Sequence, residues 1–119
     1  MIRRCTAIVA VTALLSAAPA YADVRSEARA LVAFGIDVAQ RGLWREAIYR
    51  WEKATQLDPT YASAFNNLGV GYEHEGQMEK ARQAYEQAMA LAPNDQQIRQ
   101  NFELFKEIND RANAATETP

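Results

Sequence analysis

The stretch FNNLGVGYEHEG, Phe65 to Gly76, holds three of the chain's five glycines, two glutamates and its one histidine. Three readings fit such a composition. Glycines can cradle a phosphate with converging backbone N–H groups, and the Glu73-His74-Glu75 triplet offers ligands for a metal or a general base with acidic neighbours. The third possibility is that the stretch is structural. A phosphate loop needs a strand before the glycines and a helix after them. Here Ala62 to Asn67 carries a helical pattern instead, no Lys-Ser/Thr follows, and Gly69 and Gly71 fall inside a helix with their N–H groups already used. Consecutive side chains on a helix are splayed by about 100°, so Glu73, His74 and Glu75 cannot converge. The residues that could help His74 from three or four positions away are Val70, Gly71, Gln77 and Met78, none a usual zinc ligand. No catalytic, cofactor-binding or metal-binding residue is assigned, and a non-enzyme is expected. Gly71 costs about 1 kcal/mol relative to alanine in a helix interior and has no account at this level.

The composition, 49% hydrophobic and 24% charged over 119 residues, is that of one small globular domain. A net charge of −2 gives no basic surface for nucleic acid or an anionic membrane. The N-terminus reads as a cleaved secretory signal over residues 1–22. Arg3 and Arg4 give its positive start, Cys5 to Ala18 its apolar run, and Ala20-Tyr21-Ala22 its small-x-small cleavage site, with a cut after Ala20 as the alternative. The apolar run falls short of the ~20 residues a membrane span needs. The expected location is therefore periplasmic or secreted, with no cysteine left in the mature chain to form a disulfide.

Laid against itself at an offset of 34, the chain repeats. Residues 28–61 and 62–95 share Ala28/Ala62, Gly35/Gly69, Gly42/Gly76, Ala47/Ala81, Ala54/Ala88 and Pro59/Pro93, among others. Phe65, Leu68, Gly69 and Tyr72 make one helical stripe at i, i+3, i+4 and i+7, and Ala81, Ala84, Tyr85, Ala88 and Leu91 make a second. Gly42 and Gly76 suit left-handed helix caps, and Pro59 and Pro93 end the second helix of each unit. Each unit is thus a helical hairpin whose small residues admit the large ones facing them. Trp44, Trp51 and Met78 are expected as core and inter-repeat contacts. Asp95 to Arg111 carries Ile98, Phe102 and Phe105 on one face, with Asn94 or Asp95 as N-cap, and reads as a capping helix. Asp23 or Ser26 is the expected cap of the first helix, and residues 112–119 are expected to be disordered.

The second unit, Phe65-x-x-Leu68-Gly69-x-x-Tyr72, Ala81-x-x-x-Tyr85-x-x-Ala88 and Pro93, resembles the tetratricopeptide repeat. The first unit follows with Leu31, Phe34, Gly35, Ala47, Trp51, Ala54 and Pro59, departing at Val38, where an aromatic is usual. The resemblance implies an all-α fold of two helical hairpins and a capping helix across residues 23–111. It also implies a concave face, formed by the first helix of each hairpin, that holds an extended peptide or a partner's helix. The side of those helices opposite the buried stripe carries Arg29, Val32, Ile36 and Gln40 in unit one and Ser63, Asn66, Val70, Glu73 and His74 in unit two. Some relatives clamp a partner's terminal carboxylate on this face; Asn67 alone resembles that clamp, because Val32 and Ile36 stand where its first polar pair would be. The expected surface is apolar at its centre, with Asn66 bonding a partner's backbone. The expected function is a protein adaptor or scaffold, with self-association as a homodimer as the alternative, since two repeats are few.

Overall fold

A computed structural model of the protein describes residues 18–117, which form five helices and, among the described residues, no strand. They are α1 (Ala18–Gln40), α2 (Trp44–Leu57), α3 (Ala62–His74), α4 (Met78–Leu91) and α5 (Gln96–Glu117). α1 packs on α2 and α3 on α4 as two hairpins, while α3 also meets α1 and α5, so α1, α3 and α5 form one layer and α2 and α4 the other.

The hairpin turns follow from the two capping glycines. Gly42 and Gly76 have φ of 82° and 74°, a left-handed conformation that costs any residue with a Cβ. Leu43 N–H donates to the Val38 carbonyl at 3.0 Å and Gln77 N–H to the Tyr72 carbonyl at 2.8 Å, closing each helix with a Schellman turn. α2 and α4 stop at Leu57 and Leu91, just short of Pro59 and Pro93. At the start of α5 the Ile98 N–H donates to Asp95 Oδ1 at 3.0 Å, so Asp95 is the N-cap.

The other three glycines make room for aromatics. A Cβ on Gly69 would lie 2.6 Å from the Tyr85 ring, and one on Gly35 would collide with the Trp51 indole. Gly71 finds its reason here: a Cβ there would meet Ile48 Cγ1 at 2.7 Å and Trp51 Cζ3 at 3.0 Å, both on α2 of the preceding hairpin. Trp51 therefore lies between two glycines, one on each neighbouring inner helix, and donates from Nε1 to the Val32 carbonyl at 3.2 Å. One repeat later the smaller Tyr85 leaves space. Phe105, the repeat counterpart of Gly71, fills it with ring centroids 5.3 Å apart. Gly71→Ala is expected to lose about 1–2 kcal/mol of stability in urea denaturation. Its overpacking penalty of about 1–3 kcal/mol exceeds the ~1 kcal/mol gained in helix propensity, and a more stable variant would contradict the close approach of α2.

Three expectations are corrected. α1 begins at Ala18 and runs on through Ala20 and Ala22, so neither Asp23 nor Ser26 caps it. Most of the expected signal, residues 1–17, lies outside the described residues. α5 continues to Glu117, so residues 112–117 are helical rather than a disordered tail, because Ala112, Ala114 and Ala115 favour helix and no proline intervenes before Pro119. Met78 is exposed, not core: it opens α4 at the edge of the layer.

One tie crosses from α1 to the α2–α3 turn. The Arg25 guanidinium pairs with the Asp58 carboxylate, which is only 2% exposed, and also donates to Thr60 Oγ1 at 2.9 Å. Thr60 in turn donates to Asp58 Oδ1 from its backbone N–H at 3.1 Å and its hydroxyl at 2.7 Å. Burial works to raise the Asp58 carboxyl, but Arg25 and the two Thr60 bonds outweigh it and hold the group below its ordinary value.

Candidate functional site

Ile36, Ala39 and Gln40 of α1 face Asn67 and Val70 of α3 across a valley, with Trp44 at one end and Trp51 beneath. Together they enclose a pit of about 240 Å³ with a predominantly apolar lining. It forms because α1 and α3 run side by side at the same repeat position. Ile36 and Val70 are repeat counterparts and stand as opposite walls. Four of the residues expected on this face, Ile36, Gln40, Asn67 and Val70, are brought together here. Arg29 is exposed but takes no part in the pit.

Val32 and Asn66 are not on the open surface. Val32 is 5% exposed and belongs to the core of the first hairpin, because Gly35 lets the Trp51 ring close onto α1 and cover the residue one turn earlier. Asn66, at the same place one repeat on, is 8% exposed. Its Oδ1 accepts from Asn101 Nδ2 at 3.1 Å, so it binds α5 and not a partner's backbone. Asn67 Nδ2 donates to the Ser63 backbone carbonyl at 2.8 Å, a bond within α3.

Glu73 and His74 are each held by a neighbour. Glu73 Oε2 accepts from the Tyr85 hydroxyl at 2.9 Å. His74 lies flat on Trp44, with ring centroids 3.9 Å apart and planes 14° apart, which ties the end of α3 to the start of α2. Its Nδ1 is 3.8 Å from Glu75 Oε1, but no group of three His, Cys, Asp or Glu among the described residues is placed to hold a metal. The hydroxyls that face carboxylates stay protonated donors. Burial, and then the bond to Glu52, pushes Tyr72 up, and burial with Glu73 does the same for Tyr85. These are structural bonds between helices.

Sequence reasoning missed α5 as part of this face. Leu104 is the counterpart of Val70 one repeat on, and with Ile108 it is among the exposed large apolar side chains. The repeat spacing was signal enough to find Leu104. No described helix is long and apolar enough to cross a membrane.

Comparison with known proteins agrees with this geometry. A family model described as a TPR repeat matches residues 38–76, and one described as the tetratricopeptide repeat matches residues 62–95. The chain is also 28% identical over 85 residues to the tetratricopeptide repeat domain-containing protein PYG7, chloroplastic, of Arabidopsis thaliana. That match takes in 71% of this chain and only 28% of the Arabidopsis protein. Tetratricopeptide repeats in general mediate protein–protein interaction and are not catalytic. Residues 38–95 match tetratricopeptide-repeat models, and the described residues form an all-α solenoid of two helical hairpins closed by a capping helix.

Proposed function

We propose that the protein is a non-catalytic adaptor or scaffold of the periplasm or extracellular space that holds a peptide or helix of a partner protein in the valley between α1 and α3. The observation that carries this reading is the apolar pit walled by Ile36 and Val70, with Trp44 at its end. Large apolar side chains left exposed beside a concave pit are the usual mark of a partner site.

The test compares the purified protein with its Ile36→Glu, Val70→Glu variant as baits for native extract, alongside the mass of each in solution. Capture of one partner, reduced at least tenfold by the two glutamates in a variant with unchanged helical circular dichroism, is the expected result. Undiminished capture by the variant would move the site elsewhere.

Self-association has one observation in its favour. Phe34 is exposed at the open end of the first hairpin, whereas its repeat counterpart Leu68 is buried against that hairpin. The end is nonetheless partly closed: the Arg50 guanidinium lies 4.8 Å from the Phe34 ring centroid and pairs with Glu46 at 2.7 Å. A dimer mass lost in Phe34→Glu but kept in the groove variant would favour this second reading.

A further inference from the structure

Trp44 and Trp51 both line the pit between α1 and α3, but they are held in different ways. Trp51 is fixed by burial: it is 2% exposed, Gly35 and Gly71 make room for its ring, and its Nε1 donates to the Val32 carbonyl. Trp44 opens α2 and stays partly exposed, although it packs against the core. The contact that sets its plane is the His74 imidazole, stacked on it with ring centroids 3.9 Å apart and planes 14° apart. His74 itself is half-exposed and lies outside the lining of the pit.

One repeat later the places of Trp44 and His74 are taken by Met78 and Ile108, which together line a pit of about 190 Å³ beside α5. A flexible thioether and a branched aliphatic chain therefore serve where a hairpin meets the next inner helix. Packing of the array does not by itself call for two flat rings at these positions. What the rings add is a fixed plane, because stacked aromatic groups prefer a narrow range of mutual orientations, whereas an aliphatic neighbour lets a half-exposed indole turn. Resting on the groove reading above, we infer that His74 is a positioning residue for that pit. It does not meet the ligand; it holds Trp44 in place as the end wall, so that the capacity of the pit for an apolar ligand depends on a flat ring at position 74. An indole freed from the stack turns out toward solvent or into the hollow between Ile36, Ala39 and Val70, and either movement removes the wall.

The test titrates Nile red, an uncharged apolar dye, into the purified protein, into His74→Gln and His74→Phe, and into the Ile36→Glu, Val70→Glu variant. Glutamine is what the first unit carries at the same repeat position, as Gln40, and it adds no apolar surface. Because His74 is half-exposed, both of its variants are expected to keep their helical circular dichroism. Dye affinity should fall about threefold or more in His74→Gln, together with part of the near-ultraviolet circular dichroism that reports fixed aromatic packing. Both should return to the native values in His74→Phe. Phenylalanine has neither charge nor N–H, so its rescue assigns the effect to the flat ring and not to Glu75, whose carboxylate is 3.8 Å from the imidazole Nδ1. Unchanged affinity in His74→Gln, equal weakness in both His74 variants, or lost helicity in His74→Gln would each overturn the positioning role. The groove reading survives any of these so long as the two glutamates abolish dye binding. A dye signal that the two glutamates leave unchanged, or no binding by the native protein, would overturn both.

Discussion

Trp51→Ala is expected to remove about 3–5 kcal/mol of unfolding free energy, a large share of the roughly 5–15 kcal/mol that holds a small domain together. The indole is 2% exposed and touches more than its own hairpin. Gly35 on α1 and Gly71 on α3 both leave room for it, so its loss opens a cavity shared by three helices and uncouples the two repeats. Thermal and urea unfolding followed by circular dichroism would measure the loss. Because Gly71 exists for this ring and for Ile48, the cost of Gly71→Ala should shrink when Trp51 is already alanine. Costs that simply add would show that the two positions are not in contact.

The Asp58→Ala variant should lose about 2–3 kcal/mol, less than a fully buried ion pair would, because Arg25 is partly open to water and regains hydration. The pH dependence has a definite sign. The Asp58 carboxyl sits below its ordinary value in the folded protein, so its contribution is complete above the unfolded value. As acid protonates the group through its lowered folded value, that contribution disappears. The wild type should thus be clearly more stable than Asp58→Ala at neutral pH, and the two melting temperatures should converge in strong acid. A gap that stays constant from neutral to acid would mean that the carboxylate charge plays no part in the tie.

The elements that depend on local rules were legible in the sequence. Gly42 and Gly76 cap their helices, Pro59 and Pro93 follow the ends of theirs, Asp95 starts α5, and the repeat offset aligns the hairpins. What escaped depends on contacts between elements. Gly71 pairs with side chains of α2 in the preceding hairpin, so no pattern within α3 could account for it. Ideal helical angles put Val32 on the open face, but the close approach of Trp51 at Gly35 widens the buried stripe to include it. Asp58-Pro59-Thr60 announces a turn in which an aspartate accepts from the N–H two residues on; that Arg25 would complete it from α1, at the far side of the hairpin, is not written in either segment. Within the candidate site, periodicity picks out Ile36, Gln40 and Val70, and the family resemblance adds Asn67. Leu104 and Ile108 escape it because α5 lacks the repeat's glycine and first aromatic, although its apolar spacing continues the array.

The central claim is that a partner binds the face made by the inner helices. A photo-crosslinking amino acid placed at Ile36, and separately at the exposed outer residue Glu86, tests it most directly in cells that make the protein. The account predicts a discrete crosslinked adduct from position 36, absent from position 86 and suppressed by Val70→Glu. An adduct formed from position 86 and not from position 36 would place the partner on the outer helices and contradict it.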